Sequence, residues 1–388
     1  MKRLELLACL SGLMLTGSAL AQSGARVRES YEIEYGIPLY YDAMIRQLTY
    51  PLAWDKAGMA DFGAWRKTAR EKLLECLLTP PPAVPFDCEV VAREKRDGYE
   101  AQKIRFNISG FARVPAYLLV PDGEGPFPAL VMLHDHGAEF FIGKEKMVRP
   151  FDVPAAVSDR AQEWVDQLYG GNFVGDDYAR RGYVVLSVDA LFWGERGRRE
   201  GVDYNFQQAL SANLQQLGMT WTGVITWDDV RSVDFLASLP FVDSARIGAV
   251  GFSMGAHRAW MLSAASDRVA AAAAICWMNT TEYLMRPNNN QLKGGSAYAM
   301  LVPNLRNYLD YPHVASIACP RALLFFNGRR DKLFPVEGVE DAYGIMRSVW
   351  NGQGAGDDLV TKLWDTLHIF NADMQREVDV FLDKYLQK

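Results

Sequence analysis

The spacing of hydrophobic positions changes near residue 85, and this change divides the chain into two parts. From residue 31 to residue 78, apolar residues recur every three or four positions, which predicts helices. Three consecutive prolines, Pro80 to Pro82, end this pattern. We therefore expect an N-terminal helical extension over residues 22–85, followed by a larger domain over residues 86–388.

The larger domain begins with alternating apolar and polar residues and continues with largely apolar segments. Residues 88–96, 99–108 and 114–121 alternate, which predicts antiparallel strands. Six further strands are predicted over residues 128–133, 183–188, 246–250, 271–277, 321–327 and 359–364. Helical patterns separate them, as in a parallel sheet covered on both faces, and an amphipathic helix over residues 372–386 closes the chain. We expect an α/β fold with a mostly parallel central sheet.

One connection between two of these strands is unusually long. It runs from residue 282 to residue 319 and exceeds what a crossover between neighbouring strands requires. We expect it to carry short helices over the upper edge of the sheet, where it would form a lid.

The first residues have the order of a secretory signal. Lys2 and Arg3 precede an apolar stretch, which ends in Ala19-Leu20-Ala21. We expect residues 1–21 to be a signal peptide that is cleaved after Ala21, which would deliver the protein to the periplasm or outside the cell. No later segment has the roughly 18 uninterrupted apolar residues of a membrane span, so we expect no membrane anchor.

The composition is that of a globular protein of 388 residues, with 49% apolar and 23% charged residues. The formal net charge is −6 and no basic run follows a predicted face, so we expect no nucleic-acid partner. Cys76 and Cys88 lie close enough in sequence to form a disulfide in an oxidising compartment; the alternative is that they are buried thiols.

The sequence Gly251-Phe252-Ser253-Met254-Gly255 has the G-x-S-x-G pattern of a nucleophile elbow. It directly follows a predicted buried strand and precedes a helical segment, as this motif requires. The two glycines suit a turn so tight that a Cβ would clash with the neighbouring backbone. A dinucleotide-binding turn does not fit, because the spacing is not G-x-G-x-x-G. We predict that Ser253 is a nucleophile.

A serine hydroxyl needs a base to accept its proton, and histidine is the usual one. The chain has five histidines, namely His134, His136, His257, His313 and His368. In hydrolases with this nucleophile elbow, the serine, the acid and the histidine come in that order along the chain. Only His368 follows both the last predicted strand and the acid candidate, so we predict that His368 is the base.

The acid candidate is Asp331, in a turn at the end of a predicted strand and before Pro335. A carboxylate there would hold the imidazole in the required tautomer and stabilise its charged form. Asp365 is the alternative, but it is close to His368 in sequence and follows a different strand.

With these residues in place, the sequence resembles the α/β-hydrolase superfamily, in particular its dienelactone-hydrolase-like and acetyl-xylan-esterase-like secreted esterases. The resemblance covers about residues 86–388. It is carried by the stretches LHDHG, VDALFWGERG, GFSMG, LDYPHVASIACPRALLF and NGRRDKLFP. It implies the triad Ser253, Asp331 and His368 with no cofactor. It also implies an oxyanion hole formed by the backbone N–H of Met254 and one from the turn at residues 134–137, where His136 is the candidate.

These features predict a secreted serine hydrolase that cleaves a carboxylic ester, with an acetyl ester on a carbohydrate as the expected substrate. Trp193 and Trp277 follow predicted strands, where their indoles could stack on a sugar ring. Glu195 or Arg196 could bind sugar hydroxyls. The alternative is that both tryptophans belong to the core and that the charges pair with each other.

Other activities remain open at this point. A lactone hydrolase or a secreted serine peptidase could use the same fold and triad. A metal-dependent hydrolase could use His134 and His136 as ligands, although no H-E-x-x-H motif accompanies them. A binding module without catalytic activity would be expected to lack a member of the triad.

Overall fold

A nine-stranded sheet forms the centre of the computed structural model, which describes residues 27–34, 36–197, 204–286, 289 and 295–387. Its strand order is β11-β10-β9-β8-β6-β7-β5-β4-β3, and β1 and β2 form a separate hairpin. The strands are β1 (Ile33–Glu34), β2 (Ile37–Pro38), β3 (Glu89–Arg96), β4 (Tyr99–Ser109), β5 (Ala112–Pro121), β6 (Phe127–Leu133), β7 (Val184–Val188), β8 (Val242–Phe252), β9 (Val269–Ile275), β10 (Ala322–Gly328) and β11 (Leu359–Trp364). The predicted signal peptide lies outside the described residues.

Parallel and antiparallel pairing occupy different parts of this sheet. Strands β6 to β11 pair in parallel, whereas β3, β4 and β5 pair antiparallel and β5 joins the sheet by antiparallel pairing with β7. The parallel strands have apolar residues on both sides, as in β9, because helices cover both faces. The expected mostly parallel α/β fold is confirmed.

The helices are α1 (Tyr41–Ile45), α2 (Phe62–Cys76), α3 (Ala155–Leu168), α4 (Val174–Arg180), α5 (Phe206–Gln216), α6 (Trp221–Ser238), α7 (Met254–Ala265), α8 (Thr281–Leu284), α9 (Tyr311–Ser316), α10 (Val336–Gly352) and α11 (Ala372–Leu386). Short 3-10 helices lie at Lys144–Lys146, Gly194–Arg196, Gly295–Met300, Leu305–Asn307 and Gly356–Asp358. Side chains of α2, α6, α7, α9 and α10 share one hydrophobic core, and side chains of α3, α4 and α11 share the other. No helix in the described ranges is long and apolar enough to cross a membrane.

Two helices, α1 and α2, lie within residues 31–78, where the helical spacing predicts helices. The β1–β2 hairpin that precedes them was not predicted. The hairpin turns at Gly36, whose φ of +83° suits glycine. In α2, Trp65, Ala69 and Leu73 are buried at a spacing of four residues, and they pack into the same core as the sheet.

The cysteine pair predicted as a candidate disulfide is not bonded. Cys76 is a buried free thiol at the end of α2, and Cys88 is an exposed free thiol just before β3. The buried-thiol alternative therefore holds for Cys76 but not for Cys88.

The carboxyl ends of β6, β8, β9, β10 and β11 lie at the same edge of the sheet because these strands are parallel. Every residue predicted for the triad or the oxyanion hole follows one of these strand ends. Ligands of open α/β sheets bind at this edge, so the topology alone brings the predicted chemistry to one place.

Candidate active site

Ser253 occupies a strained turn between β8 and α7. Its φ is 57° and its ψ is −121°, a combination that costs an L-residue on the order of 1–3 kcal/mol. The backbone N–H donates to the carbonyl oxygen of Ile275, at the end of β9, over 2.8 Å. The strand, turn and helix that the motif predicts are therefore present, and the serine is fixed at the carboxyl edge.

The two glycines of the motif allow this turn to approach its neighbours. A Cβ on Gly251 would lie 2.0 Å from the carbonyl oxygen of Gly255, and a Cβ on Gly255 would lie 1.8 Å from the carbonyl oxygen of Leu133. Real Cβ atoms are never this close to a backbone atom. Helix α7 therefore begins directly against the end of β6, where the turn at residues 134–137 starts.

Asp331 and His368 are hydrogen-bonded to each other at the ends of neighbouring strands. The distance between His368 Nδ1 and Asp331 Oδ2 is 2.6 Å. The Asp331 side chain is fully buried, whereas 22% of the His368 side chain is exposed. The second carboxylate oxygen of Asp331 accepts the N–H of Leu333 over 2.9 Å, so the acid is held on both sides.

Backbone pairing brings these two loops together. The N–H of Arg330 donates to the carbonyl oxygen of Thr366 over 3.0 Å, which continues the β10–β11 pairing into the loops. A Cβ on Gly328 would lie 2.6 Å or less from the carbonyl oxygens of Thr366 and Leu367. The absence of a side chain at Gly328 thus lets the loop before His368 pass close to the end of β10.

The imidazole of His368 lies beside the residue that precedes the serine. Its ring centroid is 4.9 Å from that of Phe252 and 6.2 Å from that of Phe334, onto which it stacks. The structure thus brings the predicted acid and base together and places the base next to the predicted nucleophile's turn.

Cys276, to which the sequence analysis assigned no role, lies next to the Asp331–His368 pair. Its sulfur, a carboxylate oxygen of Asp331 and a ring nitrogen of His368 all lie within 4.8 Å of one another, so they could together ligate a metal. Burial raises the pKa of the Cys276 thiol well above its usual value, and the thiol contacts the carbonyl oxygen of Ile369 at 3.6 Å. The direct hydrogen bond between Asp331 and His368 is the contact that an acid–base pair requires.

Both histidines of the turn at residues 134–137 are buried, and each uses both ring nitrogens. In His134, Nε2 accepts the N–H of Ala190 at 2.9 Å and Nδ1 donates to the carbonyl oxygen of Asp135 at 2.8 Å. In His136, Nδ1 accepts the N–H of Ala138 at 2.9 Å and Nε2 donates to Gln207 at 2.8 Å. The lone pair of each ring is occupied, so neither imidazole can ligate a metal in this conformation.

The remaining two histidines are also buried in packed surroundings. The ring of His257 contacts Trp260 and Trp277, with centroid distances of 4.6 and 4.8 Å. His313 caps α9, where its Nδ1 accepts the N–H of Asp310 over 3.0 Å. Neither is hydrogen-bonded to a carboxylate in the manner of His368.

Two of the four candidate substrate-binding residues are engaged inside the protein. Trp193 is fully buried, and its indole N–H donates to the carbonyl oxygen of His136 over 3.2 Å. Arg196 is largely buried and lies 2.8 Å from a carboxylate oxygen of Asp228. Trp193 therefore fits the core alternative, whereas Arg196 pairs with Asp228 and not with Glu195 as that alternative supposed.

Of the other two candidates, Glu195 retains an exposed polar group and Trp277 does not. Glu195 keeps 36% of its side chain exposed while it accepts a hydrogen bond of 2.7 Å from Lys144. Trp277 is 2% exposed and packs against Phe334, which in turn stacks on His368, and its indole N–H has no partner within the described residues. Trp277 therefore also fits the core alternative, and Glu195 is the stronger candidate.

Comparisons with known proteins agree with this architecture. A model of the Abhydrolase family matches residues 24–351, a range that includes Ser253 and Asp331. A protein named "Putative hydrolase YtaP" from Bacillus subtilis (strain 168) is 28% identical over 322 residues, which are 83% of this chain and the whole of that protein.

Solved structures of low sequence identity share the fold. A "putative acetyl xylan esterase" from Bacteroides fragilis superposes with a TM-score of 0.67 at 19% identity, over 89% of this chain and 84% of that one. A glucuronoyl esterase from Solibacter usitatus superposes with a TM-score of 0.60 at 14% identity, over 86% of this chain and 96% of that one.

Replacing Gly255 by alanine tests the close approach of α7 to β6. Because the new Cβ would overlap the carbonyl oxygen of Leu133, we expect Gly255→Ala to lower the free energy of unfolding by about 3 kcal/mol, measured by urea denaturation. The matched control is Gly344→Ala, inside α10 with no atom near the new Cβ, which should raise that free energy by about 0.5–1 kcal/mol. A Gly255→Ala variant as stable as the wild type would contradict the close approach.

The buried histidines predict a loss of stability in acid. Burial lowers the pKa of His136 and His313 to about 4, that of His257 to about 3, and that of His134 well below its usual value. Histidines in the unfolded chain titrate at about 6.5, so the unfolded state binds more protons between about pH 6.5 and 4. The free energy of unfolding should therefore fall as the pH falls through this window.

Urea denaturation at several pH values checks this expectation. In His313→Asn the amide oxygen can replace Nδ1 as an acceptor but does not titrate. The slope of the free energy of unfolding against pH should therefore decrease by the equivalent of up to one proton. If the slope were the same in His313→Asn and the wild type, the pKa of His313 would not be lowered in the folded state.

Proposed function

The chain belongs to the Abhydrolase family, and from this membership and the site geometry we propose that it is a serine hydrolase acting on carboxylic esters. The observation that carries the proposal is the 2.6 Å hydrogen bond between Asp331 and His368, with the imidazole packed against the residue before Ser253. A buried carboxylate, a partly exposed histidine and a serine in a strained turn are the groups that covalent acyl transfer requires.

In the proposed mechanism, Ser253 Oγ attacks the acyl carbon while His368 Nε2 accepts the hydroxyl proton. Asp331 accepts the Nδ1–H of His368 and stabilises the imidazolium that forms. The imidazolium then protonates the departing alkoxide, which leaves as an alcohol and gives an acyl-serine. A water molecule, deprotonated by the same histidine, attacks the acyl-serine, and the second tetrahedral intermediate releases the acid and restores Ser253.

The negative oxygen of each tetrahedral intermediate needs hydrogen-bond donors. We assign this role to the backbone N–H groups of Met254 and His136. Met254 is the first residue of α7, so its N–H has no acceptor within the helix, and the helix dipole favours a negative charge there. The turn that contains His136 lies against α7 because of the contact between Gly255 and Leu133.

We further propose that the substrate is an ester on a carbohydrate, with acetyl as the acyl group. The structural neighbours named above, an acetyl xylan esterase and a glucuronoyl esterase, support this proposal through the shared fold. The part-exposed carboxylate of Glu195 could bind sugar hydroxyls. The predicted signal peptide would place the enzyme in the periplasm or outside the cell, where polysaccharides are found.

The alternatives fit these observations less well. A zinc hydrolase built on His134 and His136 would need lone pairs that both rings already use. A binding module without activity would have no need of a strained serine beside a paired acid and base. Lactones and peptides remain chemically accessible to the same triad, and substrate tests separate them.

A fluorophosphonate probe tests covalent catalysis. The probe phosphorylates an activated serine, so we expect stoichiometric labelling of the wild-type protein at the peptide that contains Ser253, detected by mass spectrometry. Ser253→Ala should abolish both labelling and ester hydrolysis. Ser263→Ala, in a buried serine further along α7, should remain labelled. Labelling or hydrolysis that persists in Ser253→Ala would refute the assignment.

A substrate panel tests the carbohydrate proposal. We expect acetate release from acetylated xylan oligomers or sugar acetates, and slower turnover of glucuronoyl esters, lactones and peptides. In Glu195→Gln, which keeps the size of the side chain but removes its charge, kcat/KM for sugar acetates should fall about 10-fold more than kcat/KM for p-nitrophenyl acetate. Rapid turnover of peptides or lactones alone would reject the carbohydrate substrate while leaving the triad intact.

A further inference from the structure

Lys146 is a fully buried lysine whose ammonium contacts the turn at residues 134–137. Its Nζ donates to the carbonyl oxygen of Asp135 over 3.0 Å and to that of His136 over 3.1 Å. The carboxylate of Asp135 lies slightly farther away, at 3.5 Å. All three protons of the ammonium can therefore be directed at this one turn.

A lysine in this position is costly to bury. Its side chain has no exposed surface, and burial lowers the pKa of Lys146 below its usual value. A buried ion pair adds little net stability compared with apolar side chains of similar size. The contacts of Lys146 with backbone carbonyls therefore suggest a role other than packing.

The peptide planes give this role a direction. In a trans peptide the carbonyl and the following N–H point in opposite directions. Because the carbonyls of Asp135 and His136 both point to Lys146, the N–H groups of His136 and Gly137 point away from it. Neither N–H donates to another backbone or side-chain group within the described part of the chain.

Other donors hold these carbonyls one at a time. The carbonyl oxygen of Asp135 also accepts a bond from His134 Nδ1, and that of His136 also accepts bonds from the indole of Trp193 and the N–H of Glu139. Lys146 differs from all of these because it contacts both carbonyls at once. It therefore fixes the relative orientation of two successive peptide planes.

The turn at residues 134–137, which Lys146 contacts, lies next to the turn that carries Ser253. A Cβ on Gly255, in the first turn of α7, would lie 1.8 Å from the carbonyl oxygen of Leu133 and 3.0 Å from that of His134. The turn at residues 134–137 thus starts beside the first turn of α7, the helix that follows Ser253.

We propose that Lys146 is a positioning residue for the oxyanion hole: it holds the carbonyls of Asp135 and His136 so that the N–H of His136 faces the developing negative oxygen. Its positive charge also polarises the two peptides and strengthens their N–H groups as donors. This inference rests on the proposed serine hydrolase function and adds a residue to it.

The test is the variant Lys146→Met, which keeps the length of the side chain but removes the ammonium. Removal of one oxyanion donor costs about 10²–10³ in kcat, and a displaced donor should cost less. We expect kcat for p-nitrophenyl acetate to fall about 10- to 100-fold with KM within about twofold. The affinity for a trifluoromethyl ketone, whose adduct with the serine carries the same oxyanion, should fall by a similar factor.

Arg321→Met is the matched control, because Arg321 is also a largely buried cation that binds backbone carbonyls. Its guanidinium donates to the carbonyl oxygens of Ser266 at 2.9 Å and Val269 at 2.7 Å, at the amino-terminal edge of the sheet. We expect Arg321→Met to lower the melting temperature but to leave kcat and the affinity for the ketone unchanged. A purely structural role for Lys146 would give the same result in both variants.

The outcomes separate this inference from the proposed function. If Ser253→Ala is inactive but Lys146→Met keeps wild-type kcat and ketone affinity, the positioning role is overturned and the serine hydrolase proposal stands. If Ser253→Ala remains active, the proposed function itself fails. Should Lys146→Met not fold, the double variant Lys146→Met with Asp135→Asn removes both charges, and wild-type kcat in that variant would equally overturn the role.

Discussion

The proposed site depends on the direct backbone contact between the first turn of α7 and the end of β6. Only a glycine at position 255 permits it, because a Cβ there would overlap the carbonyl oxygen of Leu133. This contact sets the serine turn beside the turn at residues 134–137. Parallel pairing of β8, β9, β10 and β11 then brings the loops that carry Asp331 and His368 to the same edge. The proposed nucleophile, acid–base pair and oxyanion donors thus share one backbone arrangement.

Ion pairs and hydrogen bonds of buried charged side chains hold the loops along this edge in defined positions. Lys144 pairs with Asp189 at 3.0 Å after β7, and Lys146 binds the turn after β6. Such pairs add little to the net free energy of folding, but removing one partner leaves an uncompensated charge and is strongly destabilising. The loops are therefore held in one conformation, which suits a site whose donors must be oriented before the substrate binds.

Much of the architecture could be predicted from sequence because buried parallel strands are apolar on both faces. The last strand and the closing helix were predicted with their observed bounds, and the third parallel strand, predicted over residues 246–250, is longer at both ends. The β1–β2 hairpin in the N-terminal extension was not predicted, because helical spacing alone does not reveal the turn at Gly36.

The pairing of Asp331 with His368 followed from their order after successive strands, since strand order places loop ends side by side. Contacts to the backbone were beyond such reasoning. Lys146 binds two carbonyl oxygens about ten residues earlier in the chain. The order of side chains in a sequence does not indicate the direction of a backbone carbonyl. The position of Cys276 beside Asp331 was missed for a similar reason: it depends on how two strand ends pack and not on a motif.

The proposed mechanism requires that His368, held by Asp331, is the base for Ser253. The most direct test compares kcat/KM of His368→Ala with that of His313→Ala, which removes a buried histidine that caps α9. We expect a loss of several powers of ten for His368→Ala and a change of less than about tenfold for His313→Ala, at a pH where both variants are folded. Wild-type kcat/KM in His368→Ala, or an equal loss in both variants, would contradict it.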